Sequence, residues 1–301
     1  MRVRRRRVPR VVTHLFELVL VFAFAGMVVF VATHGSVVRL SSSGRHPAQH
    51  HNLPRQNKAP KSGKSSHKAT KITALTPPQG HAGALLFSTK FSGKGYVIST
   101  EKGTPKSPIW DVTSGSLLER ADLGWSGVPD AGPASGNYKG LNGSAVFRAI
   151  IPRRFGDLSV SLDIKPSRLV QTVRTPAKGW DGITVFIRYH SQYYLYAVNI
   201  ARRDGYIAIK RKLPEGPTNG GIYTTLAQVY HPTHWGQWIQ ATIVVHNTSN
   251  NAVEIAFYLG GKLIAKAEDT GHPLRASGDF GLRADNCEFY LKDVQIHSWV
   301  A

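Results

Sequence analysis

The stretch from Gly182 to Lys212, GITVFIRYHSQYYLYAVNIARRDGYIAIKRK, constrains the whole chain more than any other. It holds three strand-length runs, Gly182 to His190, Gln192 to Ile200 and Tyr206 to Arg211, rich in β-branched and aromatic residues and parted by short polar turns. In the first run Ile183, Val185 and Ile187 alternate with Thr184, Phe186, Arg188 and His190; in the third Ile207 and Ile209 alternate with Tyr206, Ala208 and Lys210. A period of two sends the aliphatic set to one face and leaves Arg188, His190, Tyr206 and Lys210 on the other. A sheet with one apolar face must cover it, and no helical period follows that would supply a layer of helices. The stretch therefore reads as a β-meander packed against a second sheet.

The same alternation continues along the chain. Val160, Leu162 and Ile164 oppose Ser159, Ser161 and Asp163; Ile239, Ala241, Ile243 and Val245 oppose Trp238, Gln240, Thr242, Val244 and His246. In AVEIAFYL, Val253, Ile255, Phe257 and Leu259 oppose Glu254, Ala256 and Tyr258. Further strands are predicted at 84–87, 96–99, 116–120, 144–150, 222–229, 262–266, 280–284 and 288–297, with Gly, Pro, Asn and Asp clusters such as DAGPASGN, PEGPTNGG and NTSNN between them. Many short strands without a helix predict one all-β sandwich or barrel over residues 83–301.

Charge divides the chain differently. Residues 1–80 carry 14 Lys and Arg against the single acid Glu17, a net +13, and the rest carries 24 basic and 17 acidic side chains, a net +7. The folded part shows no basic nucleic-acid motif, so no nucleic acid is expected as partner. Cys287 is the only cysteine, which excludes an intramolecular disulfide, and its strand-like surroundings, CEFYLKDVQI, make it a buried structural thiol with no local base to activate it.

Six arginines within residues 2–10 form a basic N-terminus, followed by an apolar run whose LVLVFAFAGMVVFVAT core, from Leu18, is 16 uncharged residues long. With its flanks, residues 11–34 reach the roughly 20 residues that span a bilayer as a helix. Arginines before the run and a long soluble part after it predict a cytoplasmic N-terminus and an extracellular C-terminal domain. A cleaved secretory signal has the same layout; Ala23-Phe24-Ala25 fits its cleavage site, but cutting there would leave MVVFVA on the mature end, so an uncleaved signal anchor is the preferred expectation. Residues 35–82, made mostly of Ser, Pro, Gly, Lys, His and Gln, read as a disordered basic linker suited to lie against anionic head groups or an anionic wall polymer.

WDVTSGSL (Trp110 to Leu117), GITVFIRYHSQYYLYAVNI, WIQATIVVHN with AFYLGGKLI, and GDFGLRADNCEFYLKDVQI occur in an order that resembles the landmarks of the concanavalin A-like lectin/glucanase superfamily. Within it the chain is similar to laminin G-like modules and to the domain associated with 3-keto-disaccharide hydrolases. The resemblance implies a jelly-roll β-sandwich of two antiparallel sheets, one of them concave. It covers about residues 83–298, and its motifs build the architecture; they are not a catalytic signature. The E-x-D-x-x-E triad of family 16 glucanases is absent. Gln295-Ile296-His297 spells the QIH of alginate lyases, but without the companion strand.

A concave face opposite the aliphatic layer would be lined by Arg188, His190, Tyr206, Lys210, Gln240, Glu254 and Tyr258. Such a set suits a sugar, because amide, hydroxyl and guanidinium groups hydrogen-bond hydroxyls while tyrosine faces stack on a pyranose. Trp125, Trp180 and Trp235 lie in predicted loops, where Trp180 is the candidate stacking platform. Arg202, Arg203, Lys210, Arg211 and Lys212 form a local basic cluster suited to an anionic glycan. Glu254 and Asp163 are the candidate acids should the chain hydrolyse glycosides. Asp181, Asp204, Asp285 and Asn286 sit in turns, as turn formers, and no metal and no cofactor is expected. The leading expectation is a membrane-anchored extracellular carbohydrate-binding module whose partner is a neutral or anionic carbohydrate or cell-wall polymer. The alternatives are a glycoside-active enzyme and a structural surface module without a sugar ligand.

Overall fold

A computed structural model describes residues 75–92, 97–99, 107–131, 144–173, 175–216 and 220–301. The expected anchor over residues 11–34, and the linker as far as residue 74, lie outside these residues. No helix among the described residues is long and apolar enough to cross a membrane.

The described residues form sixteen strands and no helix. They are β1 (His81–Lys90), β2 (Val97–Ser99), β3 (Asp111–Ser114), β4 (Ser116–Arg120), β5 (Leu123–Trp125), β6 (Val146–Phe155), β7 (Leu158–Leu169), β8 (Gly182–Ser191), β9 (Tyr194–Arg202), β10 (Tyr206–Leu213), β11 (Ile222–Tyr230), β12 (Ile239–Asn247), β13 (Val253–Leu259), β14 (Lys262–Asp269), β15 (Gly278–Asp285) and β16 (Cys287–Val300). A nine-stranded sheet runs β14-β13-β12-β7-β16-β5-β4-β2, with β1 also paired to β16, and a seven-stranded sheet runs β11-β10-β9-β8-β15-β6-β3. The predicted meander is β8-β9-β10, continued by β11 at the sheet edge. Two short strands escaped the sequence reading, β3 and β5, each too brief to show a period.

The two sheets stack through the aliphatic positions that the alternation marks. From the seven-stranded sheet come Ile183, Val185, Ile187, Tyr196, Val198, Ile207, Ile209, Phe280 and Leu282. From the nine-stranded sheet come Val160, Leu162, Ile164, Ile243, Val245, Ile255, Phe257, Val294 and Ile296. Burying each such side chain contributes about 1.5–3 kcal/mol. The fold is thus an all-β sandwich of two sheets. Cys287 lies inside it, and burial raises its thiol pKa far above the ordinary range.

Two interruptions of the period decide which side chains face out. In β16 the pairing with β7 shifts between Leu291 and Asp293, so the inward set changes phase from Phe289 and Leu291 to Val294 and Ile296. In β8 the pairing with β9 shifts after Ile187, and Arg188 takes a φ of 50°, in the left-handed region. That bulge overturns the expected outward position of Arg188, whose side chain is buried at 1% exposure. Tyr189 takes the outer face instead, stacked on Phe186 with ring centroids 5.8 Å apart. Gly278 on the neighbouring strand makes the bulge possible, since a Cβ there would lie 2.5 Å from the Arg188 carbonyl carbon.

Arg188 becomes part of a clamp between the sheets. Its Nη2 donates to Asp157 Oδ1 at 2.6 Å, and the same oxygen accepts the backbone N–H of Asn247, at the end of β12, at 3.0 Å. Asn247 Nδ2 and Arg188 Nη1 both donate to the carbonyl of Arg275. A second buried link joins Tyr196, whose hydroxyl donates to Asp269 Oδ2 at 2.7 Å, and Arg211, whose Nη1 donates to the other Asp269 oxygen. Removing one partner of a buried pair leaves the other uncompensated and costs about 3–5 kcal/mol. Asp157, 32% exposed, is left partly solvated by Arg188→Ala, so the variant is expected to lower unfolding free energy by less, about 1.5–3 kcal/mol, in urea titrations, whereas a ligand-facing surface arginine would change it by roughly 0.5 kcal/mol or less.

Candidate functional site

The outer face of the seven-stranded sheet carries a groove of about 360 Å³. Its floor is built by cross-strand neighbours: Arg283 of β15 opposite Thr184 of β8, Thr184 opposite Asn199 of β9, and Ala197 opposite Lys210 of β10. Lys212 and its partner across the ladder, Tyr223 of β11, close one side. Short side chains at Thr184 and Ala197, set among long ones, make the hollow. Beyond it Ile150, Phe186, Leu195 and Ala197 form a small apolar cluster on this outer face, flanked by Tyr189.

Trp180 stands at the rim, 56% exposed, and its loop is pinned to the β9–β10 turn. The Arg203 N–H donates to the Asp181 carbonyl at 2.8 Å, and the Asp204 N–H to the Gly179 carbonyl at 3.0 Å. Asp181 Oδ2 in turn accepts the Lys178 N–H at 2.9 Å and pairs with Arg203 at 3.2 Å. Gly182, with φ 142°, lets β8 leave this loop beside β9, where a Cβ would lie 2.0 Å from the Ala201 carbonyl oxygen. The backbone on both sides of Trp180 is therefore held, while its indole stays exposed.

Four basic side chains line the groove, Arg202, Lys210, Lys212 and Arg283, against one acid, Asp285. Asp285 grips Arg283 through two hydrogen bonds, from Nε at 2.8 Å and from Nη2 at 2.7 Å. Asp204 holds Arg202 through Nε and Nη2 and leaves Nη1 buried without a partner. Asn199 Nδ2 donates to Thr184 Oγ1 at 2.6 Å, and its Oδ1 is likewise buried without a partner. Lys210 and Lys212 form no ion pair among the described residues; their ammonium groups lie over the Tyr223 ring at 6.0 and 4.9 Å from its centroid. Burial and then Arg202 lower the Lys210 pKa below the ordinary lysine value; burial and then Arg283 and Arg148 lower that of Lys212.

The residues expected at one concave face are divided between opposite faces of the sandwich. Trp180 and Lys210 line the groove. Tyr206 lies farther along β10, its ring edge-on to Tyr230 at 5.3 Å. His190 sits at the end of β8 against Tyr194, and burial followed by Arg154 lowers its pKa. Arg188 points inward. Asp163, Gln240, Glu254 and Tyr258 belong to the outer face of the nine-stranded sheet, because β7, β12 and β13 pair there, not beside the meander. Asp163 and Gln240 border a separate hollow of about 470 Å³ with Leu123, Trp238, Ile239 and Lys292.

Asp163 and Glu254 do not form an acid pair. Asp163 is opposite Gln240 and Glu254 opposite His246, six residues further along β12, a separation of about 20 Å at roughly 3.4 Å per residue. Hydrolysis across a glycosidic bond places its two carboxyl groups about 5–9.5 Å apart. Glu254 is engaged elsewhere, accepting from Lys266 Nζ at 2.6 Å and lying 3.1 Å from His246 Nε2. Trp125 and Trp235 serve packing: Trp125 is buried, stacks on Tyr290 and donates to Glu288 Oε1 at 2.9 Å, while Trp235 rests against the core. Tyr223, Asn199, Thr184 and Arg283 are groove residues that the sequence reading left out. Asn199 was within reach, being out of phase with Tyr196, Val198 and Ile200 on the same strand.

No protein-family model matches the chain, and no curated protein matches it. Among solved structures it is similar to the carbohydrate binding module CBM66 from Bacillus subtilis, with 12% identity over 69% of this chain and 99% of that one and a TM-score of 0.44. A putative beta-glucanase from Mycobacterium abscessus aligns at 8% identity over 71% and 100% of the two chains, with a TM-score of 0.45. A legume lectin-like domain from Entamoeba histolytica aligns at 9% identity over 66% and 95%, with a TM-score of 0.39.

The lowered pKa of Lys212 has a consequence for stability. Between its folded and unfolded pKa values the unfolded chain binds more protons, so stability rises with pH there, and the penalty of the charged lysine is fully present at lower pH. Lys212→Met is expected to leave the melting temperature at pH 7 unchanged or raised. It should also flatten the rise in stability as pH approaches the ordinary lysine value of 10.5, as thermal melts across that range would record.

Proposed function

We propose that this chain is a carbohydrate-binding module whose sugar lies in the groove on the outer face of the seven-stranded sheet. The observation that carries the reading is the pairing of exposed aromatic faces with a hydrogen-bonding floor in one hollow. Trp180 at 56% and Tyr223 at 42% exposure offer rings for the apolar face of a pyranose, and Asn199, Thr184 and Arg202 offer donors and acceptors for its hydroxyls. The hollow is of the size that small ligands occupy, at roughly 300–1,000 Å³.

Binding is favoured over hydrolysis by the acids. Asp285 is the one carboxylate among the lining residues and is held by Arg283, so the groove offers no free pair to protonate a leaving group and activate water. With the basic N-terminus and apolar run at residues 1–34, the proposal includes presentation of the module outside the cytoplasm on a membrane anchor.

Full-length chain in detergent micelles, applied to a glycan array, is expected to bind a defined set of saccharides. Trp180→Ala should weaken that binding about tenfold or more, as loss of about 1.4 kcal/mol of stacking and burial would do. Gln240→Ala, on the opposite sheet, should leave it unchanged. Silence across the array, or equal binding by the Trp180 variant, would contradict the proposal.

A further inference from the structure

Resting on the sugar-binding reading of this groove, we propose that its saccharide is acidic, with a carboxylate, sulfate or phosphate substituent received by Lys212 and Lys210 beside the free Nη1 of Arg202. The groove's two guanidinium groups are matched by Asp204 and Asp285; neither lysine forms an ion pair among the described residues, and the one acid acting on Lys210, Asp204, is already held by Arg202. Lys212 is only 6% exposed and has Arg283 and Arg148 as neighbours, so solvent does little to compensate it. An uncompensated cation beside other cations is unfavourable in a partly dry site, and an anion placed among them removes that penalty. Arg202 and Asn199 are each 8% exposed, and each holds one buried polar atom without a partner, a donor and an acceptor in the same wall. The donor suits an acidic oxygen and the acceptor a sugar hydroxyl.

The chain also keeps space for Lys212. Its ammonium lies 5.3 Å from the Tyr193 ring centroid and 4.9 Å from that of Tyr223. A Cβ on Gly221 would lie 2.5 Å from Lys212 Cε, and one on Gly220 would lie 3.3 Å from the Tyr193 ring. The Gly220-Gly221 pair therefore leaves the lysine its place between two aromatic faces. The hollow on the nine-stranded sheet has no such surplus, with Asp163 set against Lys292 among its lining residues. Charge thus distinguishes the two faces, and the acid preference belongs to the groove.

The test is calorimetric titration of the full-length chain in detergent micelles with oligogalacturonate, with its methyl ester and with a sulfated oligosaccharide. Residues 1–80, at net +13, draw polyanions on their own, so each variant is compared with wild type, which carries the same tail. Lys212→Met is expected to lose about tenfold or more on an acidic probe and clearly less on the methyl ester, so that the ratio of the two affinities falls. Lys212→Arg should restore the acid affinity, and Gly221→Ala, which changes no charge, should lower it by displacing the lysine. Equal acid affinity in wild type and Lys212→Met, with a melt showing the variant folded, overturns the inference. Were Trp180-dependent binding of the ester to survive that result, the sugar-binding reading would stand without the acid preference. Failure of all three probes to bind would overturn the acid preference, while the sugar-binding reading falls only with silence across the glycan array.

Discussion

The structure depends on the burial of two aliphatic layers against each other. Neither sheet can hide its apolar face alone, and among the described residues there is no helix to cover it, so each sheet is the solvent barrier of the other. With each inward valine, isoleucine or phenylalanine contributing about 1.5–3 kcal/mol, this layer outweighs surface ion pairs worth about 0–1 kcal/mol apiece. Its further consequence is that many of the opposite positions take no part in that packing. The groove is made from such positions: Thr184, Asn199, Lys210 and Arg283 are the outward neighbours of Val185, Val198, Ile209 and Leu282.

Two polar links cross the interior. Arg188 and Asp157 join the β6–β7 turn, β8 and the end of β12; Arg211, Asp269 and Tyr196 join β10 and β9 to the end of β14. Both links cross between the sheets. The second also takes Arg211 away from the surface, so the run from Arg202 to Lys212 supplies fewer free cations than its composition indicates. Arg203 is held by Asp181, Arg202 by Asp204 and Arg211 by Asp269, leaving Lys212 as the groove's uncompensated charge and Lys210 offset in part by Asp204.

The alternation made the all-β class, the meander and most strands legible, because a period of two is a local property of a few residues. What it could not specify is which strands become neighbours. Gln240, Glu254 and Tyr258 do face outward as their spacing indicates, but pairing of β12 and β13 with β7 puts them on the far side of the molecule from Lys210. Asp163 shares that far face, too distant from Glu254 to act with it. Arg188 failed for a different reason: a one-residue bulge, permitted by Gly278 some ninety positions away, turned an outward position inward. Trp180 and Lys210 border the groove, and a loop indole and an outward lysine of the meander need no knowledge of long-range pairing to be placed there.

Sugar binding in the groove requires one face of the sandwich and not the other, and the tryptophans report on the face directly. Of the six in the chain, Trp180 borders the groove, and Trp238, 45% exposed, borders the hollow of the other sheet. Indole N–H resonances of the ¹⁵N-labelled full-length chain, followed during titration with a bound saccharide, separate the two. A shift of the Trp180 indole with Trp238 unmoved is the result this account predicts; a shift of Trp238 with Trp180 unmoved would contradict it.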